Sequence, residues 1–206
     1  MARARAVDDG AVRLFAQGRV LACYVCVLKP TLLGEGTPTI LGLRTMALTS
    51  DAQVDITVPI SAVLDRLARL GENDVELPLP VVTAAASWAG VSAPRGPWTP
   101  QGAVMSEDVK ALAMAGMKEV AEIIPDQPGA LIVNNARATV WSRPLSETSE
   151  LPLGAAFAAF SLGFLVPGTE LSMLSSGRWQ RLSSPQGHVL VRGAAALTMD
   201  NAARSI

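Results

Sequence analysis

The chain has 206 residues, half of them hydrophobic and 17% charged, and its 17 basic and 18 acidic side chains leave a net charge of −1. That length and apolar content suffice for a large core without staples, and they leave enough nonpolar surface to favour self-association. Nine basic and nine acidic residues lie before position 104 and eight and nine after it, so no concentrated basic footprint exists and nucleic acid is not expected as a partner.

Arg3 and Arg5 are followed by Asp8, Asp9 and Gly10 rather than by an apolar run and a small-residue cleavage site, which points to the cytoplasm. Residues 4–17 are predicted as a short helix with Val12, Leu14 and Phe15 as apolar contacts and Gly18 as its stop. Val20–Leu28 is continuously apolar and predicts a central strand covered on both faces, closed by Pro30. A Gly-rich connection over 31–38 leads to strands predicted at 39–48 and 54–58. Pro59 then suits the first turn of a helix with Ile60, Val63, Leu64, Leu67 and Leu70 on one face, ended by Gly71.

Val75–Leu79 reads as a brief strand, followed by a long connection over 83–102 that holds Trp88 and the segment Pro94–Arg95–Gly96–Pro97–Trp98–Thr99–Pro100. A loop that long is either functional or hides an element. Ser106 is predicted to cap a helix with Glu107 and Asp108 in its first turn and Val109, Leu112, Ala113, Gly116, Met117, Val120 and Ile124 inward. Residues 129–142 fit both periods, with a helix preferred. Residues 152–165 predict a buried helix, since Pro152 and Pro167 limit it to about 22 Å, short of a bilayer core. Strands near 170–175, 178–183 and 188–192 make a C-terminal β-meander.

The lone histidine, His188, lies in that meander beside Arg178, Trp179, Arg181 and Arg192. Two registers are open. A type I turn with Gly187 in a bulge pairs Leu182 with Leu190 and scatters these side chains, whereas a two-residue turn places Trp179, Arg181, His188 and Arg192 on one face. Converging arginines would hold a carboxylate or phosphate, Trp179 would stack, and His188, the one catalytic candidate, could transfer a proton near neutral pH. The alternative is a solvated hairpin whose arginine stems lie over apolar neighbours. Arg95 and Trp98 of the preceding loop complete the candidate ligand-binding set, either as a lid or as a pin on the core.

Cys23 and Cys26 have CxxC spacing but lie on a strand, where positions three apart face opposite ways, so they read as buried thiols. Gly34–Glu35–Gly36 lacks the third glycine and the helix of a phosphate loop. No metal site or cofactor is expected, and no G-x-S-x-G or S-x-x-K motif supports a serine hydrolase.

These readings predict an α+β fold: a mixed or mainly antiparallel sheet packed by three or four helices, with the meander at its C-terminal end. The chain reads as one globular domain over 1–206, with two lobes at about 1–103 and 104–206 as a variant. The function expected is a non-enzymatic cytoplasmic protein that self-associates and binds a protein partner through the tryptophan loop or the meander. One alternative is an enzyme or sensor for a small anionic metabolite, and another is peripheral membrane attachment through 151–167.

Overall fold

From Ala11 onward the side chains alternate between two buried faces, and a period of two governs the start of the chain. In the computed structural model, which describes residues 10–31, 35–125 and 129–193, Ala11–Leu28 is one strand, β1. Val12, Leu14 and Val25 enter one hydrophobic cluster while Ala11 and Cys26 enter another on the opposite face. The helix predicted over 4–17 is therefore corrected to strand in its described part; its first residues lie outside the described ones. Pairing explains the outcome, because Val12 and Leu14 sit opposite Val58 and Ile56 of the next strand and need a flat ladder to meet them.

That strand, β2 (Thr39–Pro59), runs antiparallel to β1 along its length, from Leu28 opposite Ile40 to Ala11 opposite Pro59. It merges the two strands expected at 39–48 and 54–58. The gap between them corresponds to a break in register rather than a strand end: Val20 faces Ala47 and Gly18 faces Ala52. Gly18 takes φ +59 there, a conformation glycine adopts at no steric cost.

Helix α1 (Ile60–Leu67) follows Pro59 and buries Ile60 and Val63. The strand expected at 75–79 does not form, and Val75 is 82% exposed. Acids at 72, 74 and 76 crowd the segment, and Pro78 and Pro80 remove two ladder donors. A 3₁₀ turn at Ser87–Gly90 precedes β3 (Thr99–Met105), α2 (Ser106–Ile123), α3 (Ala130–Trp141), α4 (Leu153–Leu162) and the meander β4 (Glu170–Ser176), β5 (Trp179–Ser184) and β6 (Gly187–Arg192). Residues 129–142 thus resolve as helix. Ser106 does not cap α2 but begins it: its hydroxyl donates to Val166 O at 2.6 Å while Glu107 accepts from the Gly168 N–H at 2.7 Å.

The six strands form one antiparallel sheet in the order β1-β2-β6-β5-β4-β3. Together with four α-helices this is the α+β architecture the periodicities imply. α2, α3 and α4 pack on one face, where α4 buries Ala155, Ala156, Ala158 and Ala159 completely and Trp141 stacks on Phe157 at 4.7 Å. The segment is thus the buried helix that its prolines and apolar composition predict, with Phe157 and Phe160 partly buried on its outer side. Among the described residues no helix is long and apolar enough to cross a membrane.

Candidate functional site

The sheet face turned away from α2, α3 and α4 is covered by irregular chain, residues 80–98, and the fastening of that chain creates the site. The Ala84 N–H donates to Thr57 O at 2.8 Å, and Trp88 is buried against Ala11, Cys26, Leu41, Trp179 and Leu190. Arg13 supplies the second anchor. Its Nε and Nη2 donate to the two Asp55 oxygens at 2.8 and 2.9 Å, and its Nη1 donates to Ala89 O and Ser92 Oγ, each at 2.8 Å. The paired guanidinium holds the Asp55 carboxyl below its ordinary range. These bonds fix the loop through residue 92, and Ala93, Pro94, Arg95 and Trp98 then overhang the sheet.

Below the overhang, the meander adopts the two-residue register. Ser184 pairs with Gly187, Ser183 with His188 and Leu182 with Val189, so the bulged alternative that pairs Leu182 with Leu190 is excluded. Leu182, Val189 and Val191 enter the helix-facing core while Trp179 and Leu190 enter the opposite cluster. Strand alternation puts Arg181 and His188 on the side of Trp179 and Leu190, under the loop.

The result is a cleft of about 380 Å³ between sheet and loop, lined by Arg95, Trp98, Arg181 and His188 together with Phe15, Tyr24 and several apolar side chains. Its size falls in the range of small-molecule sites. Both arginines lie on aromatic faces: the Arg181 guanidinium is 4.7 Å from the Trp98 ring centroid and that of Arg95 is 5.0 Å from Phe15. A guanidinium over an aromatic ring is attracted to its face and still carries N–H donors for an acceptor. Among the described residues no Asp or Glu lines the cleft. Among the described residues, the buried side-chain nitrogens without a hydrogen-bond partner are Trp98 Nε1 and Arg181 Nε, and both belong to this stack.

His188 Nδ1 lies 3.0 Å from Ser183 Oγ. Burial first, and the Arg181 charge second, push its pKa below the ordinary 6.5, so the ring is neutral at pH 7. Burial also raises the Tyr24 hydroxyl above its usual value, against the pull of Arg13 and Arg95.

The remaining candidates lie elsewhere. Trp179 is a core residue, 6% exposed. Arg178 sits at the β4–β5 turn with Nη2 donating to Gly193 O at 2.8 Å, and Arg192 pairs with Trp179 outside the cleft lining. Sequence reading missed Phe15, Tyr24 and the Arg13 anchor. The alternation Arg13, Phe15, Gln17 was the available signal, hidden by the helical reading of that stretch. Cys23 and Cys26 occupy opposite faces of β1, and burial drives the Cys23 thiol up to about 11. Glu35 binds the Thr31 backbone N–H at 2.7 Å and both the Thr31 and Thr37 hydroxyls, which fills its carboxylate with local partners. Among the described residues no group of three His, Cys, Asp or Glu side chains could hold a metal ion.

The fold is sliding-clamp-like. DNA polymerase III subunit beta from Pseudomonas aeruginosa matches with a TM-score of 0.50 at 10% identity, over 93% of this chain and 60% of that one. A DNA polymerase sliding clamp from Caulobacter crescentus matches with a TM-score of 0.45 at 12% identity, over 93% and 59%. At such identities the likeness is one of fold, and the chain spans about 60% of the length of the first of these. Residues 93–196 match the domain of unknown function DUF8185, and the chain belongs to that family. Residues 1–90 match a second domain of unknown function, DUF8010. No curated protein matches the chain.

Proposed function

We propose that this protein is a non-enzymatic binding module that takes a small anionic ligand into the cleft between the sheet and residues 93–98. The supporting observation is the unopposed pair Arg95 and Arg181, stacked on aromatic rings beside two buried donors without acceptors. An unmet buried donor costs about 1–3 kcal/mol, and a bound oxyanion supplies what both lack. His188 contributes a neutral imidazole and no positive charge, because burial first and the Arg181 charge second oppose its protonation.

Isothermal titration with 2-naphthoate, 2-naphthyl phosphate and decanoate tests the reading. Saturable binding of at least one probe is expected, weakened about tenfold or more in Arg95→Gln and in Arg181→Gln. Silence from all three at millimolar concentration would refute it.

Self-association is proposed alongside, with a second copy covering the exposed Val75, Val81 and Val82. Sedimentation should show the mass rising with concentration, and a strict monomer at high micromolar would count against it. DNA enters only through the name of the structural neighbours. Helix α2 carries Glu107, Asp108, Glu119 and Glu122 against Lys110 and Lys118, which speaks against a phosphate-binding face. Salt-dependent binding of duplex DNA would reverse that view.

A further inference from the structure

Three features of the cleft restrict what fits it, and the first is charge. Among the described residues the two guanidinium groups share the cleft lining with no carboxylate, and burial, then the Arg181 charge, keep the neighbouring imidazole from protonating. The positive charge available is therefore two, held over the rings of Phe15 and Trp98. The second feature is polarity. Val20, Ala22, Leu43, Ala93, Pro94 and Leu190 make most of the remaining lining apolar, with Gln17 and Thr45 as its uncharged polar side chains. A phosphate monoester carries about −1.5 to −2 and three acceptor oxygens at neutral pH, so it loses more hydration than a singly charged group on entering a cleft that is mostly apolar apart from the two guanidinium groups. A carboxylate has one charge and two oxygens in a plane, one for each guanidinium. The third feature is shape. The cleft is the gap between a sheet face and an overlying loop, bordered by the rings of Phe15, Tyr24 and Trp98, and a flat π-system packs there better than a flexible chain.

Resting on the proposed function, we infer that the occupant is a planar aromatic carboxylic acid, bound with its carboxylate between Arg95 and Arg181 and its ring against the apolar side of the cleft. Trp98 Nε1 and Arg181 Nε are both closed to solvent in the stack. The acid reaches them by shifting the indole off the guanidinium, so Trp98 reports its arrival.

The test compares the three probes above and adds 2-naphthol, which has the ring without the charge. 2-Naphthoate is expected to bind about tenfold or more tightly than 2-naphthyl phosphate, decanoate and 2-naphthol. Its binding should change the tryptophan fluorescence of the wild type, and Trp98→Phe should lose that change while keeping a native circular dichroism spectrum. A phosphate ester or decanoate that binds as tightly as naphthoate overturns this inference and leaves the anion site standing. Equal binding of 2-naphthol removes the charge argument and both readings with it, as does the absence of binding by any probe. Where Arg95→Gln and Arg181→Gln leave naphthoate affinity unchanged, the acid sits elsewhere and the inference falls.

Discussion

His188 shows how a single residue links the site to the stability of the chain. Its ring is held neutral by burial and by Arg181, while the unfolded chain presents a histidine with the ordinary pKa of 6.5. Between the depressed folded value and 6.5 the unfolded state binds more protons, so stability rises with pH across that window. The contribution is complete above about 6.5 and is lost as pH falls through the folded pKa. Urea titrations from about pH 5 to 7.5 should therefore show wild-type stability falling toward acid, with a shallower fall in His188→Gln. Parallel pH profiles would mean that another group sets the dependence. At this scale part of the candidate site was legible: Arg95, Trp98, Arg181 and His188 stand out among the cationic and aromatic residues of two turn-rich segments. Phe15 and Tyr24 did not, because nothing in one sequence says that β1 passes beneath a loop fixed seventy-six residues away by the Arg13 bond to Ala89.

The register of the β5–β6 hairpin decides whether a site exists, and Gly187 decides the register. A Cβ at this position would lie 2.7 Å from the Phe164 ring and 2.9 Å from Leu43 O. Neither neighbour is the end of a flexible chain. With hydrogen in that place, β6 closes onto β2 with His188 opposite Leu43, and Ser184 Oγ takes the Gln186 N–H at 3.1 Å to tighten the turn. Gly187→Ala should destabilise the protein by about 1–3 kcal/mol, as overpacking does, and should weaken naphthoate binding by moving Arg181 relative to Trp98. A variant as stable as wild type in urea would show that the close approach is not needed. Elements with a clean period were legible before any coordinates: the meander strands, α2, and the enclosed α4. Those that failed did so for separate reasons, charge and proline at 75–80 and pairing along β1 and β2. Residues 49–53, polar except for Ala52, interrupt the pattern, yet backbone pairing with β1 carries β2 past the register break, and ladder bonds leave no mark in side-chain hydropathy.

The largest scale is set by one pairing. Family matches divide the chain at residues 90 and 93, and composition alone allows two lobes. Nevertheless β2, from the first part, pairs with β6, from the second, over Thr39–Leu43 and His188–Arg192. Ile40 is fully buried in the same core as Val189, Val191 and the alanines of α4, and burying each such branched side chain is worth about 1.5–3 kcal/mol. The loop over 80–98 crosses back to bind β1 and β2 through Ala84 and Arg13. Neither part can open without exposing the hydrophobic face of the other, and we propose that the whole chain unfolds as one unit. Far-ultraviolet dichroism, which follows α2 to α4, and tryptophan fluorescence, which includes Trp88 and Trp98 on the opposite face, should then give coincident urea transitions with one midpoint. A fluorescence transition that precedes the loss of helix would show instead that the loop face comes away first, and with it the cleft.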